Sequence, residues 1–182
     1  MSEKDPTDRD ATGEIAIDGV GIEPGTPDDR MDVLRVLDAA MLETDAETIG
    51  ERIDAGDVLV ARFERTGAVV GALVATRPAP ERETADVGVD PGDRLHVDAV
   101  AVRRARRGRG VGSALVATTV ERAEDDPEIA RVSAVFDASL ATFYTDLGFE
   151  TRPVSEATPT DETEPTGDTR RFRGRRSVTD PS

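Results

Sequence analysis

The chain has 182 residues, enough for one domain built around a single real core. The absence of cysteine excludes disulfides, thiolate metal sites and a cysteine-linked intermediate, and no apolar run is long enough for a signal peptide or membrane helix, so a cytoplasmic protein with no membrane partner is expected. Asp and Glu total 38 against 23 Lys and Arg, a net charge of −15 with Lys4 as the only lysine, which points to a chain adapted to concentrated salt, as in halophilic archaea, or less specifically to a soluble acidic protein of a GC-rich genome.

Residues Met1–Gly13 are polar and proline-containing and are expected to form a disordered acidic tail. A domain over residues 14–154 follows. Glu14–Ile22 alternates loosely as a first strand through Ile15, Ile17, Val20 and Ile22. Thr26-Pro27-Asp28-Asp29 announces a helix, with Thr26 as cap, Pro27 at the first helical position and Asp29 at the favourable end of the dipole; Val33, Leu34, Leu37, Ala40 and Met41 make its apolar stripe. A second helix is expected from a capping box at Thr44 and Glu47, burying Ile49 and Ile53 and stopping at Gly56. Asp57–Phe63 and Ala68–Ala75 read as a hairpin. The long acidic loop Arg77–Arg94 is either a surface insertion or a place where Glu81, Glu83, Asp86 and Asp90 gather a cationic group.

Beyond it, Leu95–Val102 has the composition of a buried strand, with His96 and Asp98 on one face, and Val111 to Ala123 is apolar at helical spacing through Val116, Val120 and Ala123, with Leu115 beside them. Ala130–Phe136 is a fifth strand, Ser139–Leu147 a short helix and Phe149–Val154 a sixth strand. Residues 155–168 read as a polar linker, and residues 169–182 as a last strand or a basic tail.

Between the strand ending at Val102 and the helix beginning at Val111 lies Arg106-Arg107-Gly108-Arg109-Gly110-Val111-Gly112. Alternating glycines let the backbone approach a ligand closely, and the free N–H groups of such a turn and of the helix start favour an anion. Two glycine motifs are excluded by spacing. A Walker loop needs a lysine that is absent here, and a G-x-G-x-x-G fingerprint counted from Gly108 and Gly110 falls on Ser113.

The pattern that fits is R-x-x-G-x-G, at Arg107, Gly110 and Gly112. In this strand–turn–helix setting it resembles the acetyl-CoA motif of the GNAT N-acetyltransferase superfamily. Downstream, Asp137-Ala-Ser-Leu-Ala-Thr-Phe-Tyr144-Thr-Asp-Leu-Gly148-Phe149 resembles the family's N-x-x-A-x-x-x-Y-x-x-x-G-F stretch, with Asp137 in place of Asn and Leu140 in place of Ala. The resemblance covers about Gly19 to Val154. It implies an α/β (α+β) GNAT fold, a central mixed sheet of six to seven strands flanked by about four helices and splayed at the fourth and fifth strands.

The same resemblance implies acetyl-CoA as cosubstrate and no metal. It implies transfer of the acetyl group to a primary amine by direct attack in a ternary complex. By this resemblance Arg107, Gly108, Arg109, Gly110, Val111, Gly112 and Ser113 take the pyrophosphate, and backbone groups of Val100, Ala101 and Val102 hold the pantetheine arm. The Val100 N–H serves the developing oxyanion. Asp137 stands at the position of a CoA contact, and Tyr144 at that of the general acid for the departing sulfur. For the base, Asp98 is the first candidate and His96, the only histidine, the alternative. The expected acceptor is a small-molecule or peptide amine, with no nucleic-acid partner, and a homodimer is compatible with the family. A rival reading is a CoA-binding regulatory or interaction module; another, nucleic-acid binding by the arginine clusters, predicts steep loss of binding with salt.

Overall fold

The computed structural model describes residues 17, 19–40, 42, 44–77, 93–154 and 171–178. The acidic tail, Ile15, Met41, most of the loop before the fourth strand and the polar linker lie outside the described residues. The strands are β1 (Val20–Pro24), β2 (Val58–Phe63), β3 (Ala68–Thr76), β4 (Arg94–Val102), β5 (Arg131–Asp137), β6 (Glu150–Pro153) and β7 (Arg171–Ser177). The helices are α1 (Arg30–Asp38), α2 (Ala46–Asp54), α3 (Val111–Glu124) and α4 (Ala141–Asp146). The strands form one seven-stranded mixed sheet in the order β1-β2-β3-β4-β5-β7-β6, the architecture expected from the sequence.

Pairing is antiparallel for β1–β2, β2–β3, β5–β7 and β6–β7, and parallel for β4–β5. The parallel ladder runs from Arg94↔Arg131 to Val97↔Ala134 and ends there, although β4 continues to Val102 and β5 to Asp137. Contacts divide the chain into two compact units, residues 1–74 with 99–118, and residues 75–98 with 119–182.

In the first unit Val33, Val36 and Leu37 of α1 and Ile49 and Ile53 of α2 pack with Val58 and Val60, Val69, Ala72 and Val74, and Ala99 and Ala101. The helical spacing of the first two groups and the period-two spacing of Val58 and Val60, Ala72 and Val74, and Ala99 and Ala101 put each on a single face, and Val69 joins them across the register shift that the β2–β3 pairing makes between Ala61 and Arg62. Each fully buried aliphatic side chain contributes roughly 1.5–3 kcal/mol. Gly71 of β3 is required by close approach: a Cβ there would sit 3.2 Å from Ala61, Val111 and Leu115, so its absence lets the first turn of α3 lie against the strand.

Several boundaries differ from the sequence reading. The first strand starts at Val20, later than Glu14, with Ile17 joined to Val20 by an isolated bridge. A 3₁₀ turn at Pro27–Asp29 precedes α1, and there Thr26 and Asp29 form the reciprocal box. At α2 the cap is Asp45, whose carboxylate accepts from the Thr48 amide at 2.8 Å and the Thr48 hydroxyl at 2.7 Å, so the predicted Thr44 cap is displaced by one residue. Asp29 is itself buried and accepts from Arg62 at 2.8 Å, while Arg62 also binds Glu23.

In the second unit β5 lies between β4 and β7. Arg176 of β7 donates to the Leu147 carbonyl at 2.6 Å, tying the end of α4 to the sheet. Arg77 closes the other side by pairing with Asp126 at 2.5 Å and Glu128 at 3.3 Å.

Candidate active site

The predicted site residues fall in both units. Val100, Ala101, Val102 and Arg107–Ser113 belong to the first, and His96, Asp98, Asp137 and Tyr144 to the second.

In the first unit, the turn after β4 is more ordered than a plain glycine loop. Arg104–Arg106 makes a 3₁₀ turn, and Arg107 is extended before α3 begins at Val111. Gly108 at φ +72° and Gly110 at φ +80° occupy the left-handed region, which a side chain would strain. The Ala114 amide bonds the Gly110 carbonyl at 2.9 Å, so Gly110 is the N-cap. The N–H groups of Val111, Gly112 and Ser113 precede that first intrahelical bond, and a glycine cap offers no side chain to compete for them. The result is an anion site at a helix N-terminus with cationic Arg107 and Arg109 beside it in sequence, both exposed.

Arg107 has a second connection. Its Nε–H donates to the Val102 carbonyl at 2.9 Å, fastening the turn to the strand end. Arg106 stacks its guanidinium 3.9 Å from the centre of the Phe63 ring, which anchors the 3₁₀ turn on β2. The sequence reading missed both contacts. The proximity of arginine and aromatic residues across the sheet leaves no local signal.

The backbone of β4 has a defined polarity. The Arg103 N–H donates to the Val70 carbonyl of β3 at 2.8 Å, and backbone groups alternate sides along a strand. The N–H groups of Val100 and Val102 therefore point away from β3, toward the side on which the ladder with β5 stops at Val97. The side chains alternate as predicted, with Leu95, Val97, Ala99 and Ala101 buried and Arg94, His96, Asp98, Val100 and Val102 on the other face.

In the second unit, His96 faces Ser133 across the β4–β5 ladder, with His96 Nδ1 3.0 Å from the Ser133 hydroxyl. Burial lowers the imidazole pKa from its ordinary value; Asp98 opposes that shift, and Arg94 and Arg173 add to it. Asp98 is exposed on the same face. Ser133 as the partner of His96 is a third contact the sequence reading missed, since register across a parallel ladder has no local signature.

Tyr144 stacks on Phe136 with ring centres 4.0 Å apart and meets Phe143 and Phe149 edge-on at 5.1 and 5.3 Å. Its ring is buried, and burial pushes the phenol pKa up to about 12. The hydroxyl has no hydrogen-bond partner among the described residues. Asp137 is exposed at the start of the turn before α4, and its carboxylate does not cap that turn.

The chain is similar in structure to Ard1 from Thermoplasma volcanium, at 18% identity over 89% of this chain and 99% of that one with a TM-score of 0.63. It is also similar to Arabidopsis thaliana Naa50 in complex with the bisubstrate analogue CoA-Ac-MVNAL, at 16% identity over 87% and 99% with a TM-score of 0.65. A third similar structure is yncA from Salmonella typhimurium with its cofactor acetyl-CoA, at 15% identity over 89% and 95% and a TM-score of 0.65. At these identities the likeness is one of fold. No curated protein sequence shows significant similarity to the chain. The sequence pattern described as the Acetyltransferase (GNAT) family matches residues 30–149, and the chain belongs to that family.

Proposed function

We propose that the protein is an acetyl-CoA-dependent N-acetyltransferase that moves an acetyl group from the CoA thioester to a primary amine by direct attack in a ternary complex. The observation that carries this reading is the Gly110-capped start of α3, where three N–H groups stand without an intrahelical partner directly after the Val102 strand end. The ligands of yncA and Naa50 support the same cosubstrate here.

In this reading the backbone of Gly108–Ser113, with Arg107 and Arg109, takes the pyrophosphate, and backbone groups of Val100, Ala101 and Val102 take the pantetheine arm. The acceptor nitrogen forms its bond to the thioester carbonyl carbon, and the Val100 N–H donates to the oxygen that gains charge. The carbon–sulfur bond then breaks with its electron pair on sulfur, and the Tyr144 hydroxyl donates toward that thiolate. At a pKa of about 12 the phenol stays protonated throughout the neutral range, so it always holds the proton it has to offer. The amine proton leaves to Asp98, or to His96, whose depressed pKa keeps it neutral and able to accept. The acidic, lysine-poor composition supports action in concentrated salt in the cytoplasm.

A second reading, a CoA-binding regulatory or interaction module, is favoured by Asp137, whose carboxylate cannot donate as the family's Asn does. Amine-dependent CoA release by the wild type, reduced in Tyr144→Phe, decides for the enzyme. Binding of acetyl-CoA without release across a broad panel of primary amines decides for the module.

A further inference from the structure

His96 and Ser133 meet across the β4–β5 ladder with Nδ1 3.0 Å from the hydroxyl oxygen, and which of the two donates decides what the ring can do. Ser133 is sealed, at 3% exposure, and His96 is the only hydrogen-bond partner of its hydroxyl among the described residues. A buried hydroxyl needs an acceptor for its proton. On the same face of β5 its neighbours are Arg131 and Val135, and on β7 it pairs with Arg175. Guanidinium groups carry donors only and a valine side chain has no polar atom, so among these neighbours the acceptor is His96 Nδ1.

A neutral imidazole has one N–H and one lone pair. If Nδ1 holds the proton, it donates to Ser133, and the sealed hydroxyl is left with nowhere to donate. If Nε2 holds it, Ser133 donates to Nδ1 and both groups are satisfied. Burial and the cations of Arg94 and Arg173 outweigh Asp98 and keep the ring neutral at neutral pH, so the second arrangement is open to it.

We propose that Ser133 is a positioning residue that donates to Nδ1 and holds His96 as its Nε2–H tautomer, so that Asp98 alone accepts the amine proton. In that state neither ring nitrogen has a lone pair free, because Nδ1 is occupied by the hydroxyl and Nε2 carries hydrogen. The ring can donate a hydrogen bond but cannot take up a proton from the acceptor. Asp98 lies two residues farther along the same face, exposed and with no hydrogen bond to the ring, and its carboxylate keeps its lone pairs for the amine. The choice of base rests on the acetyltransfer reading, whereas the tautomer does not.

The test is two-bond proton–nitrogen correlation NMR on the untagged, isotope-labelled full chain at about pH 8, above the ordinary imidazole pKa. His96 is the only histidine, so one ring gives all the signals. The nitrogen that correlates with both carbon-bound ring protons is Nε2, and its shift shows whether it carries hydrogen. The Nε2–H form is expected in about tenfold excess or more. Ser133→Ala should bring both forms into view, and Ser133→Thr, which keeps the hydroxyl, should keep one. The wild-type spectrum decides even where Ser133→Ala does not fold. An Nδ1–H ring in the wild type, or the same single tautomer in folded Ser133→Ala, overturns the proposal. In amine-dependent CoA release, Asp98→Asn should lower kcat about a hundredfold or more, and His96→Gln, whose amide still donates, about tenfold. A loss in His96→Gln as large as that in Asp98→Asn overturns it as well. The expected tautomer with no CoA release by the wild type keeps Ser133 in its role and overturns the acetyltransfer reading instead.

Discussion

The Arg107 guanidinium donates through Nε to the Val102 carbonyl at 2.9 Å, so the first residue of the R-x-x-G-x-G pattern is fastened to the last residue of β4. This couples the strand end to the turn that leads into α3. Arg107→Ala removes the tie and a positive charge together, and the acetyl-CoA Kd is expected to rise about tenfold. Arg107→Lys keeps the charge without the planar fork and should fall between the two in the same titration.

Gly110→Ala tests the turn itself. At φ +80° an alanine costs about 1–2 kcal/mol, whereas the Ile17 side chain at 3.6 Å from the new Cβ is an ordinary contact. Thermal unfolding should show this modest loss, and acetyl-CoA binding a larger one, because the strained cap shifts the N–H groups of Val111, Gly112 and Ser113.

The buried Asp29 carboxylate predicts acid sensitivity. Burial alone would raise its pKa, but hydrogen bonds from Arg62 and from the Thr26 amide and hydroxyl win, and the net pKa lies below 3.8. A depressed folded pKa means that the unfolded chain takes up its proton first, so this stabilisation is complete above about pH 4 and is lost as pH falls through the folded pKa. Arg62→Ala leaves a buried charge unpaired and should cost on the order of 3 kcal/mol in denaturant unfolding at pH 7.

His96 gives the same sign in a different window. Its folded pKa is depressed below 6.5, so between the two values the unfolded state binds more protons and stability falls as pH drops below about 6.5. His96→Gln should flatten that part of the stability–pH curve, read by unfolding midpoints between pH 5 and 8.

How far the sequence reaches is clear from these residues. The Gly108–Ser113 turn and Tyr144 were legible because their signals are local, a glycine spacing between a strand and a helix and a lone tyrosine ahead of Gly148-Phe149. The placement of Thr44 as cap failed by one residue because Thr44 and Asp45 are both good caps and only the helix start chooses between them. Arg62 with Asp29, Arg106 with Phe63 and His96 with Ser133 were invisible because each depends on sheet register, which brings together residues distant in sequence.

Tyr144→Phe separates the ring from its hydroxyl. The stack on Phe136 needs only the ring, so folding should be preserved, while kcat should fall roughly ten- to a hundredfold with little change in the KM for acetyl-CoA. With the phenol at about 12, no basic limb from Tyr144 should appear in the kcat profile below about pH 11.

The most direct measurement is calorimetric titration of acetyl-CoA into the full chain in about 2 M KCl, where the Debye length is below about 3 Å, beside an Arg107→Ala, Gly110→Ala variant. Saturable binding by the wild type that the folded variant loses is the predicted result. A well-folded wild type that takes up no acetyl-CoA contradicts the acetyltransferase reading.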